Sequence, residues 1–167
     1  EFAHDGDLSS WIVKDIVVNH HPRLLGQLTS APGIFIGPFY YYLLIPFYLL
    51  TNMDPIGGVI MITILGVFTT LSYFLVFSKL FNPKLGLITA FLQATLLPSI
   101  GLDRWVVPST PSNLWVIWYF YTIVKISKGN FSVLPLLGIL IGLIWNIHIA
   151  LAPSLIAIPV AFFVSNK

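Results

Sequence analysis

Apolar residues in this chain run in long stretches separated by short polar turns, a pattern with the period and length of buried or lipid-facing helices. Ile56 to Phe77 and Leu85 to Leu102 contain no charged residue, and each approaches the roughly 20 residues that a helix needs to cross a bilayer. The pattern predicts an all-α, polytopic helical membrane bundle, with spanning helices over about 56–80, 85–100, 111–127, 133–149 and 151–165. Phe81-Asn82-Pro83-Lys84 makes a tight turn between the first two, and Thr110 and Pro111 supply an N-cap and first-turn pair for the third. As one helix, Val133 to Val164 would be about 48 Å long at about 1.5 Å per residue, well beyond a hydrocarbon core of roughly 30 Å. A break between His148 and Pro153 is therefore expected.

Residues 1–55 read differently. Behind Asp7 as N-cap, Leu8 to Val18 forms an amphipathic helix, with Asp7, Ser10 and Lys14 on one side and Leu8, Ile12 and Ile16 on the other. Such a helix suits the membrane interface. Asn19 to Gly37 is loop, because His20-His21-Pro22, Ser30-Ala31-Pro32-Gly33 and Gly37-Pro38 are turn signals. Phe39 to Leu50 is tyrosine-rich, is interrupted by Pro46 and is too short to span, so it reads as an interfacial or re-entrant helix. This gives a first outer loop (1–55) followed by the spanning helices (56–167).

Composition agrees with the pattern. Hydrophobic residues make up 57% of the 167 positions and charged residues 8%, with a mean hydropathy of +0.91, outside the range of ordinary soluble domains. The few charges set an orientation: Lys79, Lys84, Lys125, Lys128 and Lys167 fall on one side, and Lys14, Arg23 and Arg104 on the other. The lysine side is expected to be cytoplasmic, which puts the acidic N-terminal segment and the Gly101 to Asn113 loop outside together. No cysteine is present, excluding disulfides, thiolate metal sites and a cysteine nucleophile. No basic stripe points to nucleic acid, and Asn130-Phe131-Ser132 is too short a glycosylation pattern to carry weight. The polar, Met-less start lacks a signal-peptide layout; a piece of a longer protein, truncated at both ends, is the expectation.

Candidate chemistry gathers at the outer rim. Asp5 and Asp7 stand two apart with Gly6 between them, a glycine expected to let the backbone bend toward a ligand. A carboxylate there can take a proton from an attacking hydroxyl, and the two together could hold a divalent cation. The competing reading is a solvated terminus. Asp103-Arg104-Trp105 combines an acid, a phosphate-matching guanidinium and an indole, or else a local ion pair with an interfacial tryptophan. His148, with Asn146, is an ionisable residue inside an apolar stretch, the alternative being a neutral histidine hydrogen-bonded at a helix break. His20, His21 and Arg23 could meet a phosphate or form a solvated loop, and Lys14 shares the Asp7 face. Gly138 and Gly142 read as a small-residue pair for close helix packing.

Taken in order, these segments resemble the GT-C class of integral-membrane glycosyltransferases, in particular the protein O-mannosyltransferase and aminoarabinose transferase family. The resemblance is carried by Asp5-Gly6-Asp7 through Lys14-Asp15-Ile16-Val17, by Gly37-Pro38-Phe39-Tyr40-Tyr41-Tyr42-Leu43 and by Leu80-Phe81-Asn82-Pro83-Lys84-Leu85-Gly86. Arg104-Trp105 and Gly142-Leu143-Ile144-Trp145-Asn146-Ile147-His148 complete it. It implies a catalytic aspartate, Asp5, in the first outer loop and a cavity-facing His148. The chain departs from the family pattern in having Gly6 where an acid often follows the catalytic aspartate, Ile36-Gly37 where a basic or histidine residue is usual, and Thr110-Pro111 where many members have Asp-Pro or Asn-Pro.

Together these readings give an expected function. A sugar passes from a polyprenyl-phosphate donor to a glycan, lipid or protein acceptor at the outer face of a bacterial or archaeal plasma membrane. Asp5 is the base, with Asp7 orienting acceptor or base. Asp103, Arg104, Lys14, His148 and Tyr41 are the candidate substrate-binding residues, with Tyr40 to Tyr42 lining the lipid groove. Transport or lipid handling without chemistry is the alternative, for which ionisable groups on broken helices are expected. A purely structural bundle would leave the acidic segment without a role.

Overall fold

A computed structural model describes residues 4–29, 32–102 and 104–165, with the side chains of all of these but His4, Asp5 and Leu102. It is helical throughout; among the described residues no strand forms, and Leu28 and Phe35 make one isolated bridge. The elements are α1 (His4–Val18), α2 (Phe39–Leu50), α3 (Ile56–Leu80), α4 (Pro83–Thr95), α5 (Leu97–Leu102), α6 (Ser112–Ser127), α7 (Leu134–Ile147) and α8 (Ala157–Ser165). A 3-10 turn, Phe131–Val133, precedes α7, and a 3-10 segment, Ile149–Ile156, precedes α8.

The predicted bounds of α2 and α3 are the observed ones, since proline brackets each apolar run: Pro38 and Pro55 occupy the two N-cap positions. Asp54 adds a cap that the hydrophobic pattern does not reveal, its Oδ1 accepting from the Ile56 amide at 2.8 Å. Asn82 caps α4 by accepting from the Leu85 amide at 2.9 Å, as the Asn-Pro turn suggests.

Elsewhere the structure corrects the pattern. The expected helix over 85–100 is two helices, with Leu96 extended between them. Pro98 supplies the reason: a proline has no N–H to give and its ring clashes with the carbonyl four residues back. α1 begins at His4, so Asp7 lies inside the helix and does not cap it, and Gly6 is a buried helical residue with no bend. Thr110 does not cap α6; its hydroxyl meets the carbonyls of Trp105 (2.5 Å) and Val107 (2.8 Å) and ties the preceding loop together. Nothing stands within 4 Å of a Cβ placed on Gly138 or Gly142, so this pair mediates no close packing in the described fold. The break expected near His148 is present, with extended backbone at that residue.

α3 is the one helix among the described residues that is long and apolar enough to cross a membrane, with a mean hydropathy of 2.2 over its most apolar window. Only 28% of that window is buried, whereas the core helix of a soluble protein would be mostly covered. The other apolar segments are shorter: α2, Phe131–Ile147 and Ile149–Ser165 have between 10 and 17 residues.

Two cores hold the fold. One joins α6, α7 and α8 around Trp115, Leu137, Ile144 and Ala161. The other packs α1 and α2 on the start of α3, through Val13, Tyr40, Tyr41, Leu44, Tyr48 and Met61, with Val106 from the loop before α6. α4 lies against α3 at Gly86, where an added Cβ would run into Ser78 Oγ and sit 2.6 Å from the Phe74 carbonyl. Gly86→Val is expected to cost roughly 1–3 kcal/mol through overpacking, seen as a lower unfolding midpoint in detergent. An unchanged midpoint would mean that the α3–α4 contact yields without cost.

Candidate functional site

α1 carries the first candidates. Its buried face is Gly6, Ser9 and Val13, with Ile12, Ile16 and Val17 packed alongside, and Leu8 is exposed. Asp7, Ser10 and Lys14 share one side as predicted, and line a recess of about 260 Å³ with Trp11, Tyr48, Met53 and Pro55. The Lys14 ammonium lies over the Trp11 ring, 5.4 Å from its centroid, within cation–π range. Ser10 Oγ donates to the Gly6 carbonyl at 2.8 Å and contacts Tyr48 Oη at 2.6 Å. Burial pushes the Tyr48 phenol up, and the Asp54 and Asp7 charges push the same way despite the Ser10 hydrogen bond. The phenol is therefore protonated and able to donate. Asp5 is the second residue of α1; its side chain lies outside the described residues.

Asp15, at the other end of α1, organises the turn that follows. Its carboxylate accepts from Asn19 Nδ2 at 2.9 Å, meets His21 Nδ1 at 3.2 Å and pairs with Arg23 at 3.1 Å. His20 takes a positive φ of 56° in this turn. Arg23 and His21 are thus held by an acid in the last turns of α1, and the solvated-loop reading fits them better than phosphate binding. The Asn19 hydrogen bond lowers the Asp15 carboxyl below its ordinary 3.8, with His21 and Arg23 acting in the same direction against desolvation. A carboxylate with a depressed folded pKa stabilises above its unfolded value and loses that contribution as pH falls through the folded one. The clamp is therefore complete at neutral pH and released in acid, below about 3.8. Asp15→Asn at pH 7 should expose the bond after Arg23 to trypsin several-fold faster; equal cleavage would show that the turn holds without the carboxylate.

A second cluster forms where α7 ends. His148 is exposed, and its Nδ1 accepts from the Ala150 amide at 3.1 Å, so the ring caps the 3-10 segment and carries its proton on Nε2. It lines a polar cleft of about 440 Å³ with Gln27, Thr29, Trp105 and Ser109. Pro108 and Ile147 line this cleft and also an apolar groove of about 360 Å³ between α2, α6 and α7, whose walls include Tyr40, Trp118 and Leu143. The 26–37 segment is pinned to this end: the Gly37 amide donates to the Trp145 carbonyl at 2.6 Å, and Asn146 Oδ1 lies where a Gly37 side chain would be. Only glycine permits that approach.

Both clusters sit at the same end of the bundle. Pro55, just before α3, lines the Asp7 recess, Val106 packs against Gly58 in the first turn of α3, and Trp105 lines the His148 cleft. Lys79 and Lys125 lie in the last turns of α3 and α6, about 37 Å away along a helix of 25 residues. Lys84, in the first turn of α4, and Lys128, capping α6, share that far end. The predicted sorting of charges between two ends is the observed one for the described residues.

Other candidates fall elsewhere. Tyr41, expected to touch substrate, is 1% exposed inside the α1–α2–α3 core. Of the three tyrosines expected in a lipid groove, Tyr40 alone lines it, while Tyr42 Oη donates to the Arg23 carbonyl at 2.9 Å. Helical geometry separates them, since successive residues turn by about 100°. Arg104 is exposed beside Trp105; Asp103 lies outside the described residues. The recess and the cleft have no lining residue in common. Among the described residues, no three histidine or acidic side chains gather as a metal site would require.

No protein family, curated protein or solved structure matches this chain. Its geometry and chemistry alone bear on what it does. Reading the sequence had missed Tyr48, Ser109 and Gln27, each of which looks ordinary until the fold brings it to a rim.

Proposed function

We propose that this protein is a membrane glycosyltransferase of the GT-C type, moving a sugar from a polyprenyl-phosphate donor to an acceptor at the outer membrane face. The observation that carries this reading is an apolar groove that shares Pro108 and Ile147 with a cleft carrying Gln27, Thr29, Ser109 and His148, at the bundle end opposite Lys79, Lys84, Lys125 and Lys128. An isoprenoid chain needs an apolar channel, and its phosphate and sugar need hydrogen-bond donors where that channel ends. Trp118 and Leu143 suit the first; His148 Nε2–H, the Ser109 hydroxyl and the neighbouring Arg104 suit the second. Arg104 would steady the leaving phosphate, whose charge grows as the bond from the anomeric carbon to oxygen breaks. Asp5 would take the proton of the acceptor hydroxyl as the new glycosidic bond forms, with Asp7 and Lys14 orienting that acceptor from the recess. Lys79, Lys84, Lys125 and Lys128 at the far end support assigning that end to the cytoplasm by the excess of lysine and arginine found there, in keeping with the reading of a multi-pass protein of a bacterial or archaeal plasma membrane.

One observation favours a second reading. His148 sits on extended backbone between α7 and a 3-10 segment, the kind of broken helix that transporters use for binding. A single assay separates the two. The full chain in lipid nanodiscs is given a panel of polyprenyl-phosphate hexoses and pentoses with a membrane glycan and lipid extract as acceptor, and free polyprenyl phosphate is measured. Release from at least one donor is expected. Donor binding without release across the panel would leave lipid handling in place of transfer.

A further inference from the structure

A hydrogen-bond chain forms the floor of the Asp7 recess. Ser10 Oγ gives its single proton to the Gly6 carbonyl, so the 2.6 Å contact with Tyr48 must be donated by the phenol. Tyr48 is 1% exposed and belongs to the core shared by α1, α2 and α3. Its hydroxyl lies 3.2 Å from the position a Cβ on Gly58 would take, so α3 approaches it closely because that residue has no side chain. The chain Tyr48 to Ser10 to Gly6 therefore runs from α2 to the first turns of α1. It ends on the carbonyl between the two candidate acids.

This end of α1 needs an external tie. The first amides of a helix have no partner within it, and glycine at position 6 lowers helix propensity where the helix is weakest. A side chain hydrogen-bonded four residues back does not by itself stop fraying. The buried tyrosine behind it can, because it belongs to another helix.

We propose that Tyr48 is a positioning residue whose hydroxyl, acting through Ser10, fixes the Asp5-Gly6-Asp7 turn against α2 and α3. The catalytic consequence rests on the glycosyltransferase reading; the ordering of the turn does not.

The test uses Tyr48→Phe, Ser10→Ala and the double variant of the full chain in nanodiscs, read by amide hydrogen exchange over residues 4–10. Each single variant should exchange about tenfold faster there, and the double no faster than either, because a chain is broken by its first lost link. Ser10→Thr, which keeps a hydroxyl, should restore protection. Exchange across α6 and α7 should stay unchanged. Turnover by Tyr48→Phe should show a reduced kcat with KM retained. Unaltered exchange over 4–10, additive single effects, or a raised KM at constant kcat would each overturn the proposal. Faster exchange in variants of a protein whose wild type transfers no sugar would uphold the tie and remove the glycosyltransferase reading.

Discussion

Asparagine in place of Asp5 is expected to cut sugar transfer by about a hundredfold to ten-thousandfold, the range that a positioned general base contributes, while leaving folding intact. The amide keeps the size and hydrogen-bonding reach of the carboxylate but cannot take the acceptor proton. Asp5 is the second residue of α1, where the helix dipole favours a negative charge by about 0.3–1 kcal/mol, too little to unfold the chain when that charge is lost. Initial rates of polyprenyl phosphate release at saturating donor, with a thermal melt of the same preparation, check this. Asp7→Asn should act differently, raising KM for the acceptor more than it lowers kcat, because Asp7 borders the recess with Ser10 and Lys14. Full turnover by Asp5→Asn would take Asp5 out of the mechanism, and a reversed pattern would exchange the two roles.

Trp115→Ala is the substitution expected to weaken the fold most, by roughly 3–5 kcal/mol, the usual cost of emptying a buried aromatic site. Trp115 is 2% exposed, stacks on Tyr119 with ring centroids 4.7 Å apart and donates its indole N–H to the Leu140 carbonyl at 2.7 Å. It thereby joins α6 to α7 while forming one wall of the apolar groove. Trp115→Phe keeps most of the stack and loses the hydrogen bond, for which about 1 kcal/mol is expected. Unfolding in mixed detergent, followed by helical circular dichroism, gives both values. Equal losses for the two variants would show that the hydrogen bond, not the ring, makes the joint.

The groove's composition bears on how the two effects combine. Trp115, Trp118, Leu140 and Leu143 belong at once to the wall of the groove and to the core of α6 and α7 or its margin. A lipid chain bound there would extend that core, so donor binding should stabilise this half of the protein by linkage. The candidate acids stand on α1, which packs on the other core, and none of those four residues belongs to it. Asp5 should therefore act on turnover without the fold, whereas Trp115 should act on stability and donor binding together.

Residue order alone makes the chain helical, sets where α2 and α3 begin and end, breaks the last apolar stretch between His148 and Pro153, and gathers Lys79, Lys84, Lys125 and Lys128 at one end. These are local matters: proline and asparagine punctuate the backbone wherever they stand, and an apolar run of 25 residues has few folded alternatives to a helix. Asp7, Ser10 and Lys14 could be placed on one side because helical spacing alone puts them there. Only the tertiary structure decided that Tyr41 is core while Tyr40 faces the groove, since both tyrosines look alike until a neighbouring helix covers one. It decided that Thr110 ties a loop, that Asp15 claims Arg23 and His21, and that the cleft at His148 shares Pro108 and Ile147 with the groove. The placing of the tyrosines and of the cleft depends on residues far apart in the chain meeting, and the Thr110 and Asp15 contacts on how a loop turns back on its neighbours; a one-dimensional pattern of apolar and polar positions contains no term for either.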